Sequence, residues 1–292
     1  MTSAEPSGVW GTAVGVARVR AMESRRENAL FHDPLAAAFA AAGGLSSEPG
    51  SSGRNGPASG LDEAARRRWG GVAFSIVIRT RFLDDLLAEA VGAGCRQVVL
   101  LGAGMDSRAY RLDWPPGVRL FELDTAEPLD FKESVLRTEA AVPRCERLPV
   151  VADLRDDWPA ALAAAGHDPA QPTAWIAEGL LIYLPQDDVQ RLLERVGALS
   201  APGSRMGLTL GGRQTLEHFA EDRGTDRGTA ADLWVSVMPE DPVGWLAGLG
   251  WEASTFSVRE RAAAYGRPVP EPARPAPPGP QEPGGLVSAV RR

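Results

Sequence analysis

Short apolar runs alternate with amphipathic stretches from about Leu61 to Phe256. Six of the runs have strand length: Gln97–Leu101 (QVVLL), Val118–Asp124 (VRLFELD), Leu148–Ala152 (LPVVA), Thr173–Ala177 (TAWIA), Arg205–Leu210 and Glu252–Val258. Short apolar runs separated by helical patterns predict a parallel sheet with helices on both faces. Between the fourth and fifth runs, Pro185 opens a helix with Val189, Leu192, Leu193, Val196 and Leu199 in one stripe, and Pro202-Gly203 ends it. A second stripe, Val72, Ile76, Leu83, Leu86, Leu87 and Ala90, predicts a helix over Val72–Ala90. The late apolar stretch Leu286–Val290 reads as a terminal strand returning to the sheet. The predicted fold class is doubly wound α/β.

The pattern divides one domain, 1–292, into a core and three attachments. Residues 1–42 read as helical, with His32-Asp33-Pro34 opening an alanine-rich helix. Residues 43–60 (GGLSSEPGSSGRNGPASG) contain too few apolar groups to offset the entropy of ordering and read as a flexible loop closing the N-terminal region 1–70. Residues 211–240 are expected to form a helical cap insertion. Residues 267–284 carry eight of the 24 prolines and read as an extended linker.

Composition narrows the function. Apolar residues make up 44% and charged residues 24% of the 292, ordinary for a soluble globular chain. Of 31 cationic residues only Lys132 is a lysine. The net charge of −7 argues against nonspecific nucleic-acid binding, which needs a basic face. No apolar run is long enough to span a bilayer, so no membrane partner is expected. The N-terminus lacks a signal-peptide layout, and Cys95 and Cys145 are spaced for neither a metal site nor a disulfide framework. A cytoplasmic location is expected; oligomeric state is not legible.

Candidate chemistry sits at the strand ends, where doubly wound sheets bind ligands. Gly102-Ala103-Gly104 follows the first strand and lets the backbone approach a ligand closely. Asp124 ends the second strand, placed to accept both ribose hydroxyls. Asp153, with the Leu154 backbone, ends the third and can meet an adenine edge. Glu178 ends the fourth. Acids in this order describe a nucleoside cofactor laid across the sheet. A dinucleotide is disfavoured, because Asp106 at the following helix N-terminus would repel a pyrophosphate. An acid there suits a ligand with an amine and no phosphate, such as S-adenosyl-L-methionine. Arg79 interrupts the apolar stripe of 72–90, so it should face inward toward an anion, either a ligand carboxylate or a structural salt-bridge partner, unless its side chain snorkels to solvent; Arg81 faces away.

The runs Val98–Leu112 (VVLLGAGMDSRAYRL), Phe121–Asp124 (FELD) and Glu178–Pro185 (EGLLIYLP) closely resemble the leucine carboxyl methyltransferase family, in particular its bacterial branch of polyketide-type O-methyltransferases. Arg20–Ser24 (RAMES), Leu30–Leu35 (LFHDPL), Arg79–Asp85 (RTRFLDD) and Tyr265–Pro270 (YGRPVP) agree with that branch. The resemblance implies a class I methyltransferase fold, a Rossmann-like sheet of seven mostly parallel strands, with S-adenosyl-L-methionine as cofactor. It implies Gly102, with Ala103 and Gly104, beside the methionine moiety and Arg79 on its carboxylate. Asp124 would then take the ribose, Asp153 with Leu154 the adenine, and Glu178 the amino group or ribose. Arg20 is the implied second cation on the carboxylate. Ser107 stands where the family usually has threonine.

Methyl transfer from a sulfonium is an in-line displacement, for which the protein aligns the reactants and excludes water. A carboxylate acceptor is already ionised at neutral pH and needs no base. No base dyad is evident: His32, His167 and His218 read as structural or surface residues. Tyr183 and His218 are the candidate catalytic groups should the acceptor be a phenol. Phe219, Leu233, Trp234 and Met238, with Tyr183, could line an apolar acceptor pocket or simply pack the cap. The expected activity is O-methylation of a carboxylate or hydroxyl on a small secondary metabolite. The alternatives are methylation of a peptide or protein C-terminal carboxylate, and non-catalytic cofactor binding.

Overall fold

In the computed structural model, residues 8–45, 63–211, 233–237, 239–270 and 285–292 are described. Residues 46–60 of the expected loop 43–60, His218, Phe219, Met238, most of the cap 211–240 and the proline-rich 271–284 lie outside them.

Seven strands form one sheet in the order β3-β2-β1-β4-β5-β7-β6. They are β1 (Gln97–Leu101), β2 (Arg119–Asp124), β3 (Glu146–Val151), β4 (Thr173–Ala177), β5 (Arg205–Thr209), β6 (Trp251–Phe256) and β7 (Leu286–Arg291). β1 and β4 match the expected bounds, and the others shift by one or two residues at an end. Every residue of β1 and β4 is buried, as expected for central strands covered on both faces. β1 pairs in parallel with both β2 and β4, so strand order reverses there, and the crevice beyond their carboxyl ends is the topological switch point. β7 runs antiparallel between β5 and β6.

Helices α1 (Gly8–Ser24), α2 (Ala36–Ala42) and α3 (Glu63–Gly92) precede the sheet; α4 (Arg108–Arg111), α5 (Ala126–Thr138), α6 (Trp158–Ala164) and α7 (Gln186–Ala198) connect its parallel strands. Two apolar layers follow. One face of the sheet packs Val98, Leu100 and Ile176 against Leu83, Leu87 and Ala90 of α3. The other packs Val99, Leu101 and Trp175 against Leu192, Leu193 and Val196 of α7 and Trp158 of α6. Alternate strand residues thus serve opposite faces, as the two-residue pleat dictates.

One expectation is corrected. Helix α3 starts well before Val72, and Val72 is 38% exposed, so the buried stripe begins at Ile76. Among residues 8–42 there are two helices, the second following His32-Asp33-Pro34 as expected. α1 ends at Ser24, and the chain crosses an irregular segment before α2. Asp33 supports that break, its Oδ1 accepting the N–H groups of Leu35 and Ala36 at 3.1 Å each at the start of α2.

Candidate active site

The turn after β1 carries Gly102 at φ +64° and Gly104 at φ +43°. Both lie in the left-handed region, where a side chain is strained. A Cβ on Gly102 would also come within 2.9 Å of Leu180, and one on Gly104 within 3.0 Å of Ala13 in α1. Glycine here lets the turn fit between α1 and the segment after β4.

Asp124 completes this turn from the neighbouring strand. Its Oδ2 accepts the Gly104 N–H at 2.7 Å and its Oδ1 the Thr125 N–H at 2.8 Å. Burial pushes the Asp124 carboxyl up, and the two backbone N–H bonds oppose that shift. Each carboxylate oxygen has a lone pair beyond its backbone bond, so the group can still accept from a diol.

Glu178 follows β4 and meets Arg79 of α3: Arg79 Nε donates to Glu178 Oε1 at 3.1 Å. Arg79 therefore does face inward, onto an anion from 99 residues away in sequence. Gly179, at φ +61°, makes room for it, because a Cβ there would lie 3.1 Å from Arg79 Nη2. Among the described residues the hydrogen bonding of Arg79 runs through Nε, leaving its two Nη groups available to a second anion.

The structure also assembles a group of charges that spacing did not reveal. Arg108, 1% exposed, sits among three carboxylates. Its Nε donates to Asp84 at 2.8 Å and its Nη2 to Glu178 Oε2 at 2.8 Å, while its Nη1 bonds Asp106 Oδ2. Arg111 forks onto Asp84 at 2.6 and 2.7 Å. Burial would raise the Asp106 carboxyl, but Arg108 first, then Lys132 and Arg111, hold it down at about 2. Burial likewise works against the Glu178 carboxylate, and Arg108 and Arg79 more than offset it, so its pKa is lowered. The signal in the sequence was faint: Asp84 is a charge on a buried face of α3, and Arg108 and Arg111 are arginines one turn apart on a four-residue helix.

Asp106 also settles how the helix N-terminus after the glycine turn is used. Its Oδ1 accepts the Arg108 N–H at 2.7 Å, so this carboxylate already occupies the place where a dinucleotide fold would receive pyrophosphate.

Arg20 is held by two partners within the chain. Buried in α1, it donates from Nε to Asp33 Oδ2 at 2.8 Å and from Nη2 to the Met105 carbonyl. Ser107 Oγ donates to the same Asp33 oxygen at 2.6 Å. Arg20 therefore braces the glycine turn from behind. Asp153 lies beyond β3, where its carboxylate accepts from Arg155 Nη2 at 2.6 Å, and that bond holds its pKa down. Leu154, next to it, packs against the core layer that contains Trp158.

Tyr183 ends a single 3₁₀ turn, Leu181–Tyr183, and its hydroxyl lies 3.3 Å from Thr12 Oγ1 in α1. Of the expected pocket residues, Leu233 and Trp234 are partly buried in a short strap. That strap is tied down by the Val235 N–H to the Ile182 carbonyl at 2.8 Å and by Ser236 Oγ to the Leu181 carbonyl at 2.7 Å. His32 is exposed, with Nδ1 3.2 Å from the Ser24 carbonyl, and His167 is buried with Nε2 3.0 Å from Thr173 Oγ1. Neither belongs to the site. Among the described residues no group of three His, Cys, Asp or Glu side chains is disposed to hold a metal ion.

A doubly wound sheet with an antiparallel β7, glycines and acids at its switch point and a blocked pyrophosphate position defines the class I methyltransferase architecture. The chain belongs to the leucine carboxyl methyltransferase family, whose model matches residues 13–197. A Frankia alni protein provisionally named an S-adenosyl-L-methionine-dependent methyltransferase is 69% identical over 98% of this chain and 96% of its own. A Streptomyces avermitilis protein of the same provisional name is 66% identical over 99% and 97%. Among solved structures, a DUF574 family protein from Streptomyces avermitilis superposes with a TM-score of 0.59 at 15% identity, covering 94% of this chain and 97% of that one. At that identity the likeness speaks to the fold alone.

Proposed function

We propose that this protein transfers a methyl group from S-adenosyl-L-methionine to an oxygen of a small secondary metabolite, in the first instance a carboxylate. The coarser statement, that it is an S-adenosyl-L-methionine-dependent methyltransferase, follows from its family and from relatives matched over nearly their whole length. The observation that carries the reading is that the carboxylates ending β2 and β4 are both tied to the turn after β1. Asp124 is bonded to Gly104, and Glu178 is joined through Arg108 to Asp106.

The donor set fits this cofactor. Asp124 would hold the ribose hydroxyls, Asp153 and Leu154 the adenine, and Gly102, Ala103 and Gly104 the backbone side of the methionine moiety. Arg79 would take its carboxylate and Glu178 its ammonium. When bound, the cofactor supplies an electrophilic methyl on a sulfonium. The protein's part is to align the acceptor and exclude water. A carboxylate is already ionised at neutral pH, so this acceptor asks for no general base.

Calorimetric titration of the purified protein with S-adenosyl-L-methionine should give saturable binding, and no binding would refute the enzyme reading. Methyl-labelled cofactor should then be supplied with small carboxylic acids, matched phenols and peptides with free C-termini. Label should appear on the small acids as base-labile esters that release methanol. Label on peptides alone would favour the second reading, and base-stable products on the phenols alone would move the acceptor to a hydroxyl.

A further inference from the structure

We infer that Arg108 is a positioning residue that sets the pocket for the amino-acid tail of the cofactor, by holding Glu178 and Asp106 in one fixed, ionised arrangement. The inference rests on the cofactor assignment above and goes beyond it, because Arg108 is needed as a brace rather than as a ligand.

The geometry is specific. Arg108 spends its three nitrogens on three carboxylates from three parts of the chain: Asp84 from α3, Asp106 from the turn after β1, and Glu178 from the end of β4. A planar guanidinium can make these bonds at once and hold the two strand-end loops at a set separation; an ammonium on a flexible stem cannot reproduce the fork. Asp84 is itself fixed by Arg111, so the brace is anchored to α3 rather than floating.

The charges explain why a brace is required. Arg79, Arg108 and Arg111 face Asp84, Asp106 and Glu178, three of each sign. Arg79 lies against Glu178. A zwitterionic tail adds no net charge, and so can separate that pair, its carboxylate going to Arg79 and its ammonium to Glu178. Glu178 then loses its contact with Arg79 and retains Arg108. Arg108 thus keeps the acid ionised and in place through the exchange. Without Arg108 the cluster carries an unbalanced negative charge, and Glu178 and Asp106 are free to move apart or take up a proton.

The test uses two probes that share the nucleoside and a neutral sulfur and differ in the tail: S-adenosyl-L-homocysteine and 5′-methylthioadenosine. In calorimetric titrations, Arg108→Gln should weaken the first at least tenfold and leave the second within twofold. Loss of both probes to the same extent would show a general structural role, and a tail-specific loss below threefold would show that no brace is needed; either overturns the inference. Arg108→Lys keeps the buried cation, guards against a variant that fails to fold, and should show the same selectivity at smaller size. Wild-type protein that binds neither probe would instead remove the cofactor assignment itself, which separates the two failures.

Discussion

At the residue scale, the functional meaning of a charge here depends on what lies across from it. Asp106 was legible as an acid beside the glycine turn, but its role follows from Arg108, which neutralises it and draws it onto its own backbone N–H. His167 shows the same dependence, with burial outweighing the nearby charge of Asp168 and Arg119 acting in the same direction as burial. It is enclosed by Phe121 and Trp175, with ring centroids at 5.9 and 5.4 Å, and burial pulls its imidazole from 6.5 down to about 4. The folded protein therefore keeps His167 neutral where the unfolded chain protonates it. Stability should fall as pH drops from 6.5 toward 4, by about 3 kcal/mol in total, and be unaffected by this group above pH 7. His167→Gln should flatten that part of the curve. Urea unfolding of both proteins between pH 4 and 7 measures the difference, and identical slopes would exclude the assignment.

At the element scale, one acid, Asp33, links both N-terminal helices to the glycine turn. Asp33 Oδ1 accepts the first N–H groups of α2, and Oδ2 accepts from Arg20 of α1 and from Ser107 beside the glycine turn. Its carboxyl is held below the usual range because Arg20, Arg111 and Ser107 outweigh burial. Asp33→Ala strands a buried arginine and should cost about 3–5 kcal/mol, read from urea unfolding at neutral pH. Cofactor affinity should fall with it, since the Met105 carbonyl bonded to Arg20 lies in the same turn. A loss under 1 kcal/mol would mean that α1 and α2 dock by apolar packing alone. The motif Tyr265–Pro270 turns out to be a similar clasp. Arg267 bonds Glu23 and the Asn28 carbonyl, and Tyr265 Oη lies 2.9 Å from Asp85 Oδ2, so the late motif fastens the N-terminal region.

At the scale of the whole molecule, β7 closes the sheet. It is the strand that joins β6 to β5, and Leu286, Val287 and Ala289 are all at most 3% exposed. Ending the chain before Leu286 removes those side chains and leaves β6 without a neighbour. Full burial of one such aliphatic residue contributes about 1.5–3 kcal/mol, so the loss approaches the whole stability of an ordinary domain. The truncated protein should lack a cooperative thermal transition by circular dichroism. A transition within 5 °C of the full-length protein would mean that β7 is dispensable.

Periodicity was enough to determine the core strands, the burial of α3 and α7 and the acids at three strand ends. These depend on local patterns: unbroken apolar runs, a 3.6-residue stripe, and a carboxylate placed just after a strand. The inward direction of Arg79 was legible for the same reason, because a charge within an apolar stripe has nowhere else to face. The partners were not legible. Glu178 lies 99 residues from Arg79 and 70 from Arg108, and Asp33 lies 74 from Ser107. Which charges meet is decided by the crossing of strands at the switch point, since an ion pair carries no periodic mark in the chain. The tertiary structure alone therefore joined Arg20 to Asp33 and the Met105 carbonyl and put Arg108 at the centre of the charge cluster.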